Sequence, residues 1–223
     1  MLNDLPFDSA KLARRVPLVL GNPLNCWSEV VRDDSSPKNL LISVFAPLLA
    51  ASTVVGFIKT SVFGPFPFAQ SIIWHIAQFV MGVLLIVIGS FIAHKLSGVF
   101  GPGASYQKSS SLLVHAYIPA LLGGLCGIVP YVGWVEGFVL VIVSLVSFFY
   151  GIQPMLGIAD TAKKVVFFVA YAICTSVVAF ILGMVVLLLA PRPTLTDLFQ
   201  GTGAPTELEG KLKQFQQDGL SRQ

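Results

Sequence analysis

Five apolar stretches, each near the roughly 20 residues a helix needs to cross hydrocarbon, dominate this chain. They run from about Leu40 to Ile58, Ile72 to Ile92, Leu112 to Val129, Trp134 to Gln153 and Val165 to Ala190. Lipid offers no partner for free backbone groups, so such segments cross it as helices that satisfy their own hydrogen bonds. They cannot all be the buried helices of a water-soluble domain. Of the 223 residues only 11% are charged and 55% are hydrophobic, whereas a soluble domain carries roughly 25% charge. That balance excludes a disordered chain, a nucleic-acid-binding domain and a soluble enzyme. The expected fold class is all-α, a polytopic integral membrane bundle of five transmembrane helices. Residues 1–39 are read as an N-terminal segment with an interfacial helix, 40–190 as the membrane domain, and 191–223 as a polar tail. Cys26, Cys126 and Cys174 are too few and too scattered for a disulfide framework or a zinc site.

Positive charge sets the expected orientation. Lys11, Arg14, Arg15, Arg32 and Lys38 precede the first span, Lys95 and Lys108 follow the second, and Lys163 and Lys164 follow the fourth. The opposite loops hold Lys59 and the uncharged Pro130-Tyr131-Val132-Gly133. The N-terminus is therefore expected in the cytoplasm and, after an odd number of crossings, the C-terminus outside. Arg14-Arg15 invites a twin-arginine reading, but only Val16–Leu20 follows before Gly21. That is too short for a signal-peptide core, so the first span is expected to be the uncleaved targeting signal.

Both flanks have helical spacing. Asn22 can cap a short helix that begins at Pro23, with Leu24, Trp27 and Val31 recurring on one side. Tryptophan favours the headgroup boundary, which would lay this helix on the cytoplasmic surface. Upstream, Leu12, Val16 and Val19 oppose Lys11, Arg14 and Arg15. The candidate headgroup contacts are thus Lys11, Arg14, Arg15, Trp27, Lys163 and Lys164, with a plain topology-setting flank as the competing reading. In the tail, Thr206 and Glu209 have capping-box spacing ahead of Leu208, Leu212 and Phe215.

Small residues suggest which spans meet. Gly123 with Gly127 and Gly133 with Gly137 form two G-x-x-x-G pairs across a short connection, and Ala172, Thr175, Ser176, Ala179 and Gly183 form a stripe on the fifth span. Ionisable residues in the spans are sorted by depth. Lys59, His75 and Glu136 fall near one leaflet and form a candidate polar cluster, while His94 and His115 fall toward the other. A mid-membrane charge costs about 2.5–3.5 kcal/mol, so Glu136 either serves a proton, ion or headgroup site or reaches water beside Tyr131 and Trp134. No H-E-x-x-H, G-x-S-x-G or intramembrane aspartate pair occurs. Gly98, Gly101 and Gly103 around Pro102 read as a turn, and Asp160 with Lys163 and Lys164 as a solvated connection. No catalytic residue, metal set, cofactor or nucleic-acid partner is expected.

The order of these parts resembles the Yip family, the Rab-GTPase-interacting five-span membrane proteins, and specifically its bacterial branch. The resemblance rests on Asn22-Pro23 with Trp27, Phe45-Ala46-Pro47-Leu48, the loop Phe100 to Gln107, and Ala116-Tyr117-Ile118-Pro119. It continues through Ile128-Val129-Pro130-Tyr131-Val132-Gly133-Trp134 and the fourth-span exit Tyr150 to Ile158, followed by Ala162-Lys163-Lys164. It implies five helices, a cytoplasmic N-terminus, a bacterial inner-membrane location, no cofactor and no established chemistry. An aspartate-leucine-tyrosine-glycine-proline element carried by eukaryotic members is absent, so a Rab-type GTPase is not an expected partner. The expected function is a non-enzymatic membrane protein that organises the bilayer or a membrane-protein partner. The alternative is a small transporter, channel or lipid scramblase that uses the Lys59–His75–Glu136 cluster.

Overall fold

The computed structural model of the chain describes residues 23–32, 35–63, 68–126 and 132–189. In chain order the helices are α1 (Pro23–Val30), α2 (Pro37–Leu40), α3 (Ala46–Phe63), α4 (Phe68–Phe100), α5 (Tyr106–Cys126), α6 (Val132–Leu156) and α7 (Thr161–Leu189). A π-helical turn over Leu41–Phe45 joins α2 to α3. Five helical units are long and apolar enough to cross a membrane: Pro37–Val62, Phe68–Phe100, Tyr106–Cys126, Gly137–Leu156 and Thr161–Val186. The all-α, five-span class is therefore the class observed. The segment upstream of Pro23, with Lys11, Arg14 and Arg15 and the Asn22 cap, lies outside the described residues, as do the Pro130-Tyr131 connection and the tail helix around Thr206.

Proline shapes two of the spans locally. Pro47 has no N–H to donate, and its ring would press on the Ser43 carbonyl one turn earlier. The chain widens there into the π turn, in which the Ala46 N–H reaches the Leu41 carbonyl. Pro119 lies inside α5, which continues through it as an α-helix, and the next N–H, that of Ala120, donates to Ser144 Oγ of α6 at 2.8 Å. A neighbouring hydroxyl thus satisfies a backbone donor inside the bundle.

α5 is the centre. Two thirds of its most apolar window is buried (67%), against 11% for α7. It also carries a run of three serines, and Ser109, Ser110, Ser111 and His115 are all buried. Polar groups are turned inward because only protein can satisfy them there. α5 packs most extensively on α6, and α4 lies against α3, α5 and α7. Glycines permit the closest approaches. A Cβ on Gly123 would stand 3.1 Å from the Gly137 Cα, so these members of the two expected glycine pairs meet; Gly127 lies outside the described residues.

α4 extends beyond the Ile92 limit of its apolar run. Its 33 residues span about 50 Å, well over the roughly 30 Å of hydrocarbon. The final turns, past His94 and Lys95, help build a protein core at the end of the bundle that carries α1. There His94 Nδ1 lies 2.7 Å from the Ala104 carbonyl, and the Ala104 N–H donates to Ser97 Oγ at 2.9 Å. Gly103 turns this loop with φ +80°, and Gly157 turns the α6–α7 loop with φ +74°. The two loops interlock: added Cβ atoms on Gly101 and Gly157 would stand 2.8 Å from Ile158 Cγ1 and 3.0 Å from Pro102 Cγ.

Three helices that start at this end carry side-chain caps. The Ser36 hydroxyl accepts from the Asn39 N–H, the Ser105 hydroxyl from the Lys108 N–H, and Asp160 Oδ1 from the Lys163 N–H. Each oxygen satisfies a backbone donor that the first helical turn leaves open.

The short helix expected around Trp27 exists, as α1, and its apolar side is turned into the bundle while Ser28 and Glu29 stay exposed. Cys26, Trp27 and Val30 are all buried, and α1 packs on α6. The reason is the hollow at Gly151. A Cβ there would fall 2.5 Å from both Trp27 Cζ2 and Leu112 Cδ1, so the indole occupies the space that a larger residue would fill.

Candidate functional site

The candidate polar cluster assembles differently from its sequence-level reading. His75 on α4 faces α3, where its Nε2 lies 2.9 Å from Thr60 Oγ1. The same hydroxyl is 3.1 Å from the carbonyls of Gly56 and Phe57. The hydroxyl is satisfied when it donates to a carbonyl and accepts from Nε2–H. Gly56 makes room for the ring, whose Cε1 would stand 3.0 Å from a Cβ at that position, and Phe57 meets it edge-on at 6.0 Å. Lys59 is exposed, and no hydrogen bond or ion pair joins it to His75 among the described residues. Glu136 falls early in α6, but its side chain, like that of Trp134, lies outside the described part of the structure. What is brought together is therefore His75 with Thr60. The hydroxyl partner was legible only as a residue fifteen positions back, on the other arm of a hairpin.

Beside this pair, a shallow groove of about 380 Å³ runs between α3 and α4, walled by Thr53, Val54, Phe57, Ile72 and Ile76. Its lining is apolar apart from His75 and Thr53, and the Thr53 hydroxyl donates to its own helix at the Leu49 carbonyl, 2.7 Å away. A second, more enclosed cavity of about 290 Å³ opens among α5, α6 and α7. Tyr117, Ser144, Phe148, Tyr171 and Thr175 are among its lining residues. Ser144 already accepts from Ala120, and the Thr175 hydroxyl donates to the Tyr171 carbonyl at 2.8 Å. α6 and α7 touch only sparsely, which leaves this cavity a side opening.

The same self-satisfaction recurs along the spans. Ser43, Ser90 and Ser109 donate to carbonyls four residues earlier, at 2.5, 2.6 and 3.2 Å. His115 Nδ1 lies 2.7 Å from the Ser111 carbonyl and its ring meets the Trp27 indole edge-on at 6.5 Å. Trp27 Nε1 is buried and finds no hydrogen-bond partner among the described residues. Trp27 is thus a core residue and not a headgroup contact, a correction to its expected role. Among the described residues no group of three His, Cys, Asp or Glu side chains is placed to hold a metal.

The remaining headgroup candidates divide. Lys11, Arg14 and Arg15 lie outside the described residues. Lys163 is exposed on the first turn of α7. Lys164 ties α7 back to α6: its Nζ donates to Gln153 Oε1 at 3.1 Å and stands 5.8 Å from the Phe149 ring centroid. Asp160 caps the helix, and the Lys163 N–H holds its carboxyl below the usual carboxylate range. Sequence reasoning passed over Gly151 and Ser144. A small residue at the exit of the fourth span and Pro119 within the third were the two signals that could have found them.

No curated protein and no solved structure matches the chain. The family comparison does: the Yip1 domain matches residues 18–182, a stretch that contains α1 and nearly all of the five spans. The tryptophan helix, the two interlocked glycine turns and the central proline-bearing span all fall within it, and the chain belongs to the Yip1 domain family.

Proposed function

We propose that the protein organises the bilayer or a membrane-protein partner and does so without catalysing a reaction. One observation carries this reading. The Thr53, Ser90, Ser144 and Thr175 hydroxyls inside the spans bond carbonyls of their own helices or a neighbouring backbone N–H, and so act as internal fasteners, while the Ser61 and Ser71 hydroxyls are buried without a hydrogen-bond partner among the described residues. A conduction path or an active site instead needs polar groups aimed at a shared space. The family's generally non-enzymatic character agrees with this.

Orientation follows the same proposal. Arg32, Lys38, Lys95, Lys108 and Lys163 are exposed at the α1 end, which suits a cytoplasmic face in a bacterial inner membrane. That end would offer partners a rigid surface, while α7 offers a lipid-facing flank with Val166, Ile173 and Phe180 exposed. Residues 1–39 and 191–223 would act as appendages of a 40–190 membrane domain.

Photocrosslinking in the native membrane tests the proposal. A photoreactive residue at Ile173 should give discrete protein adducts, or a protein-dependent change in lipid packing should appear in vesicles. Lipid adducts alone, with unchanged packing, would contradict it.

The second reading, a small transporter, channel or lipid scramblase, is favoured by the side-opening cavity among α5, α6 and α7. Purified protein in vesicles should then move protons, ions or dye-labelled lipid faster than protein-free vesicles do. Equal rates would remove that reading.

A further inference from the structure

Between α2, α4 and α5 runs a groove of about 330 Å³ whose walls change character with depth. Lys38 and Tyr106 stand at its mouth, one the second residue of the first span and the other the first residue of the third. Ser110 lies one turn deeper on α5, and Val114 one turn deeper again. Ile86, Val87 and Ser90 of α4 complete the inner wall, with the Ser90 hydroxyl already donating to the Ile86 carbonyl. At about 1.5 Å per residue, Tyr106 to Val114 is a descent of about 12 Å into hydrocarbon. The groove also touches the π turn through Leu41, a kind of irregularity that is frequent at functional sites.

The chemistry of the walls selects the occupant. An ammonium and a phenol hydroxyl at the mouth suit an anionic oxygen and repel a cation. The apolar inner wall gives a small soluble anion nothing to bind, but it suits a hydrocarbon chain. We infer that the groove holds one anionic phospholipid, with its phosphate at Lys38 and Tyr106 and an acyl chain along Ile86 and Val114. This would hold whether the protein gathers partners or moves solutes, so its outcome is separate from that question.

Native mass spectrometry of the full-length protein, stripped of lipid in detergent, provides the test. Added phosphatidylglycerol should be retained at one molecule per chain, and phosphatidylcholine should not. Lys38→Glu should lower retention at least about fivefold, the factor that loss of one cation near anionic lipid supplies before the added negative charge is counted. Lys108→Glu, at an exposed lysine outside the groove, should leave retention unchanged. Val87→Trp, at a half-exposed position on the inner wall, should block the acyl chain and lower retention without touching charge. Equal retention of both lipids, or equal loss from the two lysine variants, would overturn the inference. So would displacement of the lipid by inorganic phosphate at matched concentration, or no retained lipid at all.

Discussion

At the end of the bundle that carries α1, loops, caps and side chains lock into one another. His94 and Ser97 hold Ala104, the Gly101 and Gly157 turns close against Ile158 and Pro102, and Phe167 is enclosed by Phe100 and Tyr171. At the other end, Val62, Phe68, Val135 and Phe138 are all about two-thirds exposed, and the described spans meet through small contacts such as Gly123 on Gly137 and His75 on Thr60. The difference follows from the solvent. Lipid tails are as apolar as leucine, so spans gain little from burying apolar surface against each other and associate through shape and hydrogen bonds. Near the membrane boundary the loops bring backbone donors, caps and turns, and a true core can form. The α1 end is therefore expected to be the stiff half of the molecule.

The strongest challenge to that contrast is a pair of phenylalanines on one helix. Phe167→Ala should cost about 2–3 kcal/mol, mostly the cavity part of the usual aromatic loss, because Phe167 is fully buried. Phe180→Ala, at 70% exposure, should stay within about 0.5 kcal/mol. Reversible unfolding in mixed micelles reads both, and similar losses would erase the distinction.

A glycine pair sharpens it. Gly151→Ala should cost about 1–2 kcal/mol, since neither the buried Trp27 nor Leu112 can give way. Gly183→Ala meets nothing within 4 Å and should be neutral or slightly stabilising through helix propensity. Thermal unfolding of the two variants side by side measures the difference.

Smaller still is the hydrogen bond at the open end. Thr60→Val removes the hydroxyl that His75 meets and should cost about 0.6 kcal/mol, the average for interhelical bonds in a membrane protein. The readout is the same unfolding curve, and a loss as large as that of Gly151→Ala would make this end as tightly built as the other.

The smallest effect is a pH response at the α6–α7 turn. The Asp160 carboxyl titrates lower in the folded chain than its ordinary value of about 3.8. The support it gives α7 is therefore complete above that value and is lost as pH falls through the lowered folded one. Amide exchange in the first turn of α7 should rise in acid in the native protein and should be insensitive to pH, after correction for intrinsic rates, in Asp160→Asn.

Much of the architecture was legible in the sequence because length and apolarity decide a membrane span almost alone. The five runs are there, and they differ from the observed helices mainly where polar residues such as His94 and Lys95 continue a helix past the lipid. Helix α1 was legible in its spacing but not in its place. Trp27 obeys the same amphipathic pattern whether it faces headgroups or a hollow at Gly151, and only the fold brings residue 151 to it. The polar cluster was legible by depth but not by azimuth: Lys59 and Thr60 are neighbours in sequence, yet only Thr60 is on the face that meets His75.

The sharpest single test of the stiff, enclosed α1 end uses the chain's own tryptophans. Trp27 is 3% exposed and Trp74, on α4, is 39% exposed. Brominated lipid quenches indoles that it touches. In vesicles of such lipid, the Trp134→Phe protein should lose the part of its emission that comes from Trp74. The Trp74→Phe, Trp134→Phe protein, left with Trp27 alone, should keep a blue-shifted and unquenched spectrum. Quenching of Trp27 as deep as that of Trp74 would place α1 against the lipid and contradict the account.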